Sequence, residues 1–291
     1  MCHFFEYEII RRGDYMEKYL IAIDLDGTLL EDWKTVSQET IDYLKKVKSY
    51  GHEIVLATGR PFRSSEEFYD QLELTTPLVN YNGGLVTSKH DKNFQGYSLT
   101  VDYDAILDIF HNTKDYIENA FGEVGDDIYL WRDTEEIQPL LHNFNGARLF
   151  VGDFEETLQE PTNGFIIIAK DGKGPIIEEF VRTKYKDKVL CRNWGSHYNF
   201  IIELFSPETN KGNALDYVSK YLGFDREQII AFGDAHNDIE MLQFAARGIA
   251  MKNAHDSLLK VADEVTEFTN TENIRTLLFT LRQHFENNTT S

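Results

Sequence analysis

Asp24 and Asp26 stand two residues apart where the apolar run Leu20–Ile23 gives way to Gly27 and Thr28. Charge is least tolerated at the end of a core strand, so a carboxylate pair placed there points to chemistry. One aspartate can attack phosphorus and form an acyl phosphate. The other can protonate the leaving alkoxide and then take a proton from the attacking water. A single carboxylate could not do both. Gly27 permits a sharp turn, so the second carboxylate can swing toward the reacting centre of the first.

Three further stretches end in reactive residue types: "ATGR" at Ala57–Arg60, "NKGN" at Asn210–Asn213 and "FGDAHND" at Phe232–Asp238. If their strands are neighbours, Asp24, Asp234 and Asp238 meet in one crevice, where like charges raise each other's pKa. A hard divalent cation resolves that conflict, and Mg²⁺ takes a few carboxylates together with waters and phosphate oxygens. Lys211 supplies a positive point charge. Thr58 and the backbone N–H groups around Gly59 can bind phosphate oxygens at a strand-to-helix turn. The set suits phosphoryl transfer, which needs positioning and charge neutralisation. Each part also has a purely structural reading. Asn237 and Asp238 can cap the following helix, Thr58 can close a strand end, and Lys211 can be a solvated helix-start lysine.

The elements that must hold these residues are short apolar strands alternating with helices. Tyr19–Leu25 reads as a strand, and Ser37 as the N-cap of a helix running to Tyr50. "EIVLATG" is a buried strand, Ser64–Leu72 a helix and "PLVNYNGG" a third strand. This alternation implies a parallel sheet with helical crossovers. From Leu85 to Ser196 the chain is richer in charge and aromatics, with one-faced strands such as "DDIYLW" and "GFIIIAK". The rhythm resumes after "NFIIELF". It continues through the helix beginning at Lys211, the strand "IIAFGD", a helix ending at Gly248, the strand "IAM", a helix near Ser257–Ala262 and a last helix from Thr271. The expected fold is α/β: a Rossmann-like parallel-sheet core, residues 16–84 and 197–291, interrupted by an α+β cap at 85–196.

Residues 1–15 read as an N-terminal extension of the domain, with two readings open: translated leader ahead of a natural start at Met16, or an ordinary frayed extension. Purine-rich codons for Arg11–Asp14 can contain a ribosome-binding sequence just ahead of Met16, and the gene's nucleotide sequence decides the point. Composition narrows the function classes. The 291 residues carry 49 acids against 29 bases, a net charge of −20, which argues against binding nucleic acid. Two cysteines give neither a disulfide framework nor metal-ligand spacing, so a reducing, cytoplasmic setting is expected. No apolar run reaches the roughly 20 residues of a membrane span, and no membrane association is expected. Oligomeric state is not legible.

"DLDGTLL", "ATGR", "TNKGNAL" and "GDAHND" together resemble the four motifs of the haloacid dehalogenase-like hydrolase superfamily. The insertion after "NYNGG" resembles its Cof-type branch with a large α/β cap. The resemblance runs from about Met16 to the C-terminal helix. It implies Asp24 as nucleophile and metal ligand, and Asp26 as general acid/base with its carbonyl on the metal. It further implies Thr58, Gly59, Lys211 and Asn237 on the phosphate, Asp234 on Mg²⁺, and Asp238 as a carboxylate beside the metal. Ala235 stands where many relatives have glycine. The implied activity is Mg²⁺-dependent hydrolysis of a small phosphorylated metabolite, a sugar phosphate by preference. A phosphohexomutase and a catalytically silent phosphate-ligand binder are the alternatives. His236 is expected in a loop at the cleft or in solvent, and Cys191 buried in the cap. Trp131, Arg132, Arg192, Trp194, His197 and Tyr198 fall in the cap without reading as site residues.

Overall fold

In the computed structural model, which describes residues 18–30, 34–194 and 200–266, strand β1 (Leu20–Ile23) is buried on both sides. Ile21 and Ile23 pack with Ile41, Leu44 and Val47 of the helix Gln38–Ser49. Leu20 and Ala22 pack with Ala214, Leu215 and Val218 of the helix Lys211–Leu222. A strand covered on both faces must be apolar throughout, and "LIAI" is. Truncating one such side chain, as in Ile21→Ala, costs about 2–5 kcal/mol. Ser37 caps the first helix as expected, its hydroxyl accepting from the Thr40 N–H at 3.2 Å.

Strand β2 (Glu53–Leu56) lies parallel to β1. The chain then makes a tight turn at Phe62–Ser64, a short helix at Glu66–Gln71 and strand β3 (Leu78–Asn80), which reaches β2 through a bridge between Ala57 and Val79. Strands β4 (Leu85–Thr87) and β5 (Tyr97–Ser98) continue from β3 as an antiparallel ribbon. The expected start of the insertion at 85 is therefore corrected: residues up to Ser98 still belong to this edge. The reversal is made by Tyr81, Asn82 and Gly83, all with positive φ, so the paired glycines turn the chain back instead of releasing it.

A second sheet is built from β6 (Ile117–Val124), β7 (Asp127–Leu130), β8 (Leu149–Val151), β9 (Gly164–Ala169), β10 (Leu190–Asn193) and β11 (Ile201–Phe205), in the order β10-β11-β9-β6-β7-β8. All neighbours are antiparallel except β7 and β8. Helices Tyr103–Thr113 and Gly174–Tyr185 cover one face, burying Ile106, Ile109, Phe110, Ile177 and Val181 against Phe165 and Ile167. On the opposite face, the register lines up Phe121, Ile166, Glu203 and Arg192 across four strands. The return to the core at 197 is also corrected. The run "IIELF" is β11, paired antiparallel with β9 and β10, and the chain leaves this sheet after Phe205. A five-residue apolar run reads alike in either sheet.

Strands β12 (Ile229–Gly233), β13 (Arg247–Ala250) and β14 (Glu264–Val265) complete a parallel sheet of order β14-β13-β12-β1-β2. The helix Ile239–Phe244 stops at Ala245, and Gly248 lies inside β13 instead of ending that helix. The helix expected near Ser257–Ala262 spans Asp256–Leu259. With β1 between β12 and β2, the chain winds away from it in both directions, which opens a crevice at the strands' carboxyl ends. Residues 1–15, His197, Tyr198 and the helix expected from Thr271 lie outside the described residues. Among the described residues no helix is long and apolar enough to cross a membrane.

Candidate active site

Asp24 follows β1 directly, its N–H donating to the Phe232 carbonyl at 3.1 Å, so β12 fixes where its side chain starts. The backbone then coils tightly, the N–H groups of Leu29 and Leu30 donating to the Leu25 carbonyl at 2.9 and 2.8 Å. Gly27 sits in that coil at φ +83°, and a Cβ there would lie 2.2 Å from Asp234 Oδ2. Glycine is required twice over, by the backbone conformation and by the carboxylate arriving from the end of β12. The Thr28 hydroxyl donates to Asp234 Oδ1 at 3.3 Å.

Lys211, the first residue of its helix, is fully buried and bridges two acids. Its ammonium donates to Asp24 Oδ1 at 2.5 Å and to Asp238 Oδ1 at 2.6 Å. Asp238 Oδ2 accepts from the backbone N–H groups of Asp234 and Ala235, each at 3.0 Å. Carboxylate oxygens of Asp24, Asp234 and Asp238 all lie within 4.8 Å of one another. Three acids thus face one ammonium. Burial, opposed by Lys211 and reinforced by the neighbouring aspartates, pushes the Asp24 carboxyl well above its usual range. Burial and Asp238 push Asp234 up to about 7. The two acids hold Lys211 in its charged form against the opposing effect of burial.

This all-oxygen, charge-excessive set fits a hard divalent cation. Asp24 and Asp234 are the carboxylates that could ligate it, because both oxygens of Asp238 already accept hydrogen bonds from Lys211 and from backbone N–H groups. Asp238 braces the lysine and the turn.

The second motif lies alongside. Thr58 is fully buried, and its hydroxyl accepts the Arg60 backbone N–H at 3.1 Å, so its side chain shapes the turn from beneath. Arg60 forks onto Asp26, Nε donating to Oδ2 at 2.7 Å and an Nη2 N–H to Oδ1. Asn237 donates to Asn82 Oδ1 at 2.7 Å, and Asn82 donates onward to Glu203 Oε1 at 3.3 Å. A cavity of about 780 Å³ lies between the two sheets, in the size range of small-molecule sites. Asp24, Asp26, Gly59, Asp234 and Asn237 line it, whereas Thr58, Lys211 and Asp238 lie beneath its surface. All eight sequence-derived site residues meet at this one place.

Several cavity residues escaped the sequence reading. Arg60 was legible only as the end of "ATGR", with nothing to show that it would grip Asp26. Asn82, Glu203, Arg192 and Trp194 line the far wall. Arg63, only 1% exposed, pairs with Glu123 and donates to the carbonyls of Leu141 and His142 at 2.8 and 3.0 Å. His236 lines the cavity, as one of its two expected placements had it. Cys191 is half-buried, and burial pushes its thiol up to about 11, the form of an inert cysteine.

A doubly wound sheet with carboxylates and a lysine gathered at its strand ends, under a separate sheet, is the build of a phosphate-ester hydrolase. A family model described as haloacid dehalogenase-like hydrolase matches residues 21–278. A Bacillus subtilis protein named 5-amino-6-(5-phospho-D-ribitylamino)uracil phosphatase YitU is 38% identical over 249 residues, covering 85% of this chain and 92% of its own. A second B. subtilis phosphatase named for the same ester, YcsE, is 29% identical, covering 85% and 89%. A haloacid dehalogenase-like hydrolase from Bacteroides thetaiotaomicron superposes with a TM-score of 0.79 at 24% identity, covering 92% of this chain and 99% of its own. The chain belongs to the haloacid dehalogenase-like hydrolase family and, with these relatives, to its phosphatases.

Proposed function

We propose that the protein is a Mg²⁺-dependent phosphatase that hydrolyses a small phosphate monoester through a phosphorylated Asp24. The observation that carries this reading is the grip of Lys211 on Asp24. One carboxylate oxygen is held at 2.5 Å, and Oδ2 has no partner among the described residues, in a side chain that lines the cavity. Oδ2 is the oxygen that attacks phosphorus. Asp26, positioned by Arg60, gives its proton to the leaving alkoxide and then takes one from the water that cleaves the acyl phosphate. One of its oxygens must leave Arg60 for this. The cation would be held by the carboxylates of Asp24 and Asp234 and the carbonyl of Asp26, and it would neutralise charge on the phosphate oxygens.

Residues 99–205 act as the cap, excluding water and selecting the leaving group. The cavity has room for more than a hexose phosphate. Two relatives are named for a ribityl phosphate bearing an aminouracil, and we infer that the substrate is an ester of that kind: a polyol phosphate carrying a heterocycle. This refines the sugar phosphate expected from the sequence. The small number of cysteines, two in the whole chain, suits a cytoplasmic setting.

The test is phosphate release from a panel of polyol phosphates, sugar phosphates, nucleotides and the ribitylaminouracil ester, with Mg²⁺ and after chelation. The expected result is metal-dependent release, fastest on the ribitylaminouracil ester. Conversion of hexose-1-phosphate to hexose-6-phosphate without free phosphate would establish a mutase instead.

A further inference from the structure

We propose that Arg192, braced by Glu203, is a specificity-determining residue that binds the carbonyl oxygens of a planar ring on the leaving group, with Trp194 flanking that ring. The inference rests on the phosphatase reading for the identity of the ring. Glu203 is the central residue of β11, one strand in from the edge of the cap sheet, and is 9% exposed. Its Oε2 accepts from Arg192 Nε at 2.9 Å, and its Oε1 accepts from Arg192 Nη2 at 3.1 Å and from Asn82 Nδ2 at 3.3 Å. Against the opposing effect of burial, Arg192, Asn82 and Trp194 beside it hold the Glu203 carboxyl below its usual range. Glu203 therefore has little capacity left for a ligand. What it does is fix two neighbours.

Arg192 is the neighbour with capacity to spare. Its guanidinium lies 4.3 Å from the centre of the Phe205 ring, which sets the plane of the fork. A guanidinium carries five N–H donors; Nε and one Nη2 N–H are engaged, and Nη1 has no partner among the described residues. A fork so oriented in a cavity wall recognises acceptor oxygens. Because Glu203 cancels its charge, the pair suits neutral carbonyls better than a second phosphate.

The surroundings agree with a flat, apolar-faced ligand. Phe121 and Ile166 continue the same row of the sheet, and the half-exposed Trp194 borders the cavity beside Arg192. Across the cavity lining, His236 keeps a buried Nε2 with no partner among the described residues. A pyrimidinedione ring offers what this wall lacks: carbonyl oxygens for Arg192, an N–H for His236 and a face for the aromatic and aliphatic side chains. The relay through Asn82 to Asn237 ties the wall to the reacting end, so a ligand seated here is anchored at both ends of one cavity.

The experiment compares the ribitylaminouracil phosphate with ribitol 5-phosphate, which keeps the polyol ester and lacks the ring. It also measures binding of the dephosphorylated ribitylaminouracil by calorimetry. In the unaltered enzyme the ring-bearing ester is expected to be preferred in kcat/KM. Arg192→Met is expected to lower that preference roughly 10- to 100-fold, chiefly through KM, and to weaken product binding by a similar factor. Since Arg192→Met alone leaves Glu203 buried and unpaired, the double variant Arg192→Met with Glu203→Gln is measured beside it and should show the same loss. A preference unchanged in both variants, or none to begin with, overturns the subsite while leaving the phosphatase reading intact. Product binding that depends on Arg192, in an enzyme that hydrolyses neither ester, supports the subsite and overturns the proposed reaction. Absence of both overturns both.

Discussion

Lys211 and Arg63 are cations of 0% and 1% exposure on the border of the same crevice, and their surroundings follow opposite rules. Around Lys211 three carboxylates converge on one ammonium, and two of the acids are pushed to higher pKa by burial and by each other. Around Arg63 the charges balance more closely. Glu123 takes the guanidinium, backbone carbonyls of Leu141 and His142 take two more of its N–H groups, and Nη1 donates to the Tyr81 hydroxyl at 3.5 Å. The Arg63 backbone joins in, its N–H donating to Asp126 at 2.9 Å and its carbonyl accepting from Asn145 at 2.8 Å. Apart from Tyr81, these partners belong to the cap, so Arg63 is a latch between the two units. A near-balanced pair fixes geometry and asks for nothing more. An unbalanced cluster is incomplete until another positive charge arrives, which is what a metal-dependent site requires.

The sharpest way to break this contrast is at the nucleophile. Asp24→Asn should lower turnover by roughly 10⁴-fold or more, because the acyl phosphate cannot form. The same change relieves repulsion, so the metal-free variant should melt no lower than the parent in a calorimetric scan. Retained Mg²⁺-dependent turnover would remove Asp24 from its role.

Next come the two cations themselves. Lys211→Met and Arg63→Met each strand buried acid and should each cost about 3–5 kcal/mol in metal-free denaturant titrations. Mg²⁺ should restore much of the loss for Lys211→Met and little for Arg63→Met. Equal rescue of both would erase the distinction.

The pH response follows from Asp234. Its folded-state pKa, up to about 7, lies above the ordinary value of 3.8, so the folded protein binds a proton that the unfolded chain releases. That contribution to stability is complete below about pH 4 and is lost as pH rises through about 7. For the same reason, Mg²⁺ uptake at pH 6 should release protons, and calorimetry in buffers of different ionisation enthalpy reads the number. Asp234→Asn should flatten both effects.

Gly27→Ala is the mildest change. It should weaken Mg²⁺ binding by about 10- to 100-fold through a displaced Asp234, with a cost of roughly 1–3 kcal/mol from the left-handed backbone.

The two regions also differ in how much of them the sequence reveals. Asp24, Asp26, Thr58, Gly59, Lys211, Asp234, Asn237 and Asp238 lie in four short stretches, each at the end of one strand or the start of one helix. Their residue types announce chemistry before any tertiary contact is known. The cap wall has no such local signature. Glu203 meets Arg192 only through antiparallel register, and Asn82 reaches Glu203 from 121 residues away. The misplaced boundaries at 85 and 197 have the same origin. "LVT" and "IIELF" are apolar strands whatever sheet receives them, and the choice is made by neighbours far along the chain. Arg60 and Arg63 stood in plain view beside "ATG", but a sequence does not show which acid an arginine will find.

The space beside Gly27 is smaller than a methyl group, and the Asp234 carboxylate occupies it. In evolutionary terms that hydrogen is a reservation. The first strand holds open a seat that only the far half of the chain can fill, so neither half carries a complete site and each is selected in the presence of the other. Substitutions at position 27 should therefore register as faults of residue 234, and a search for compensating changes would begin at the end of β12.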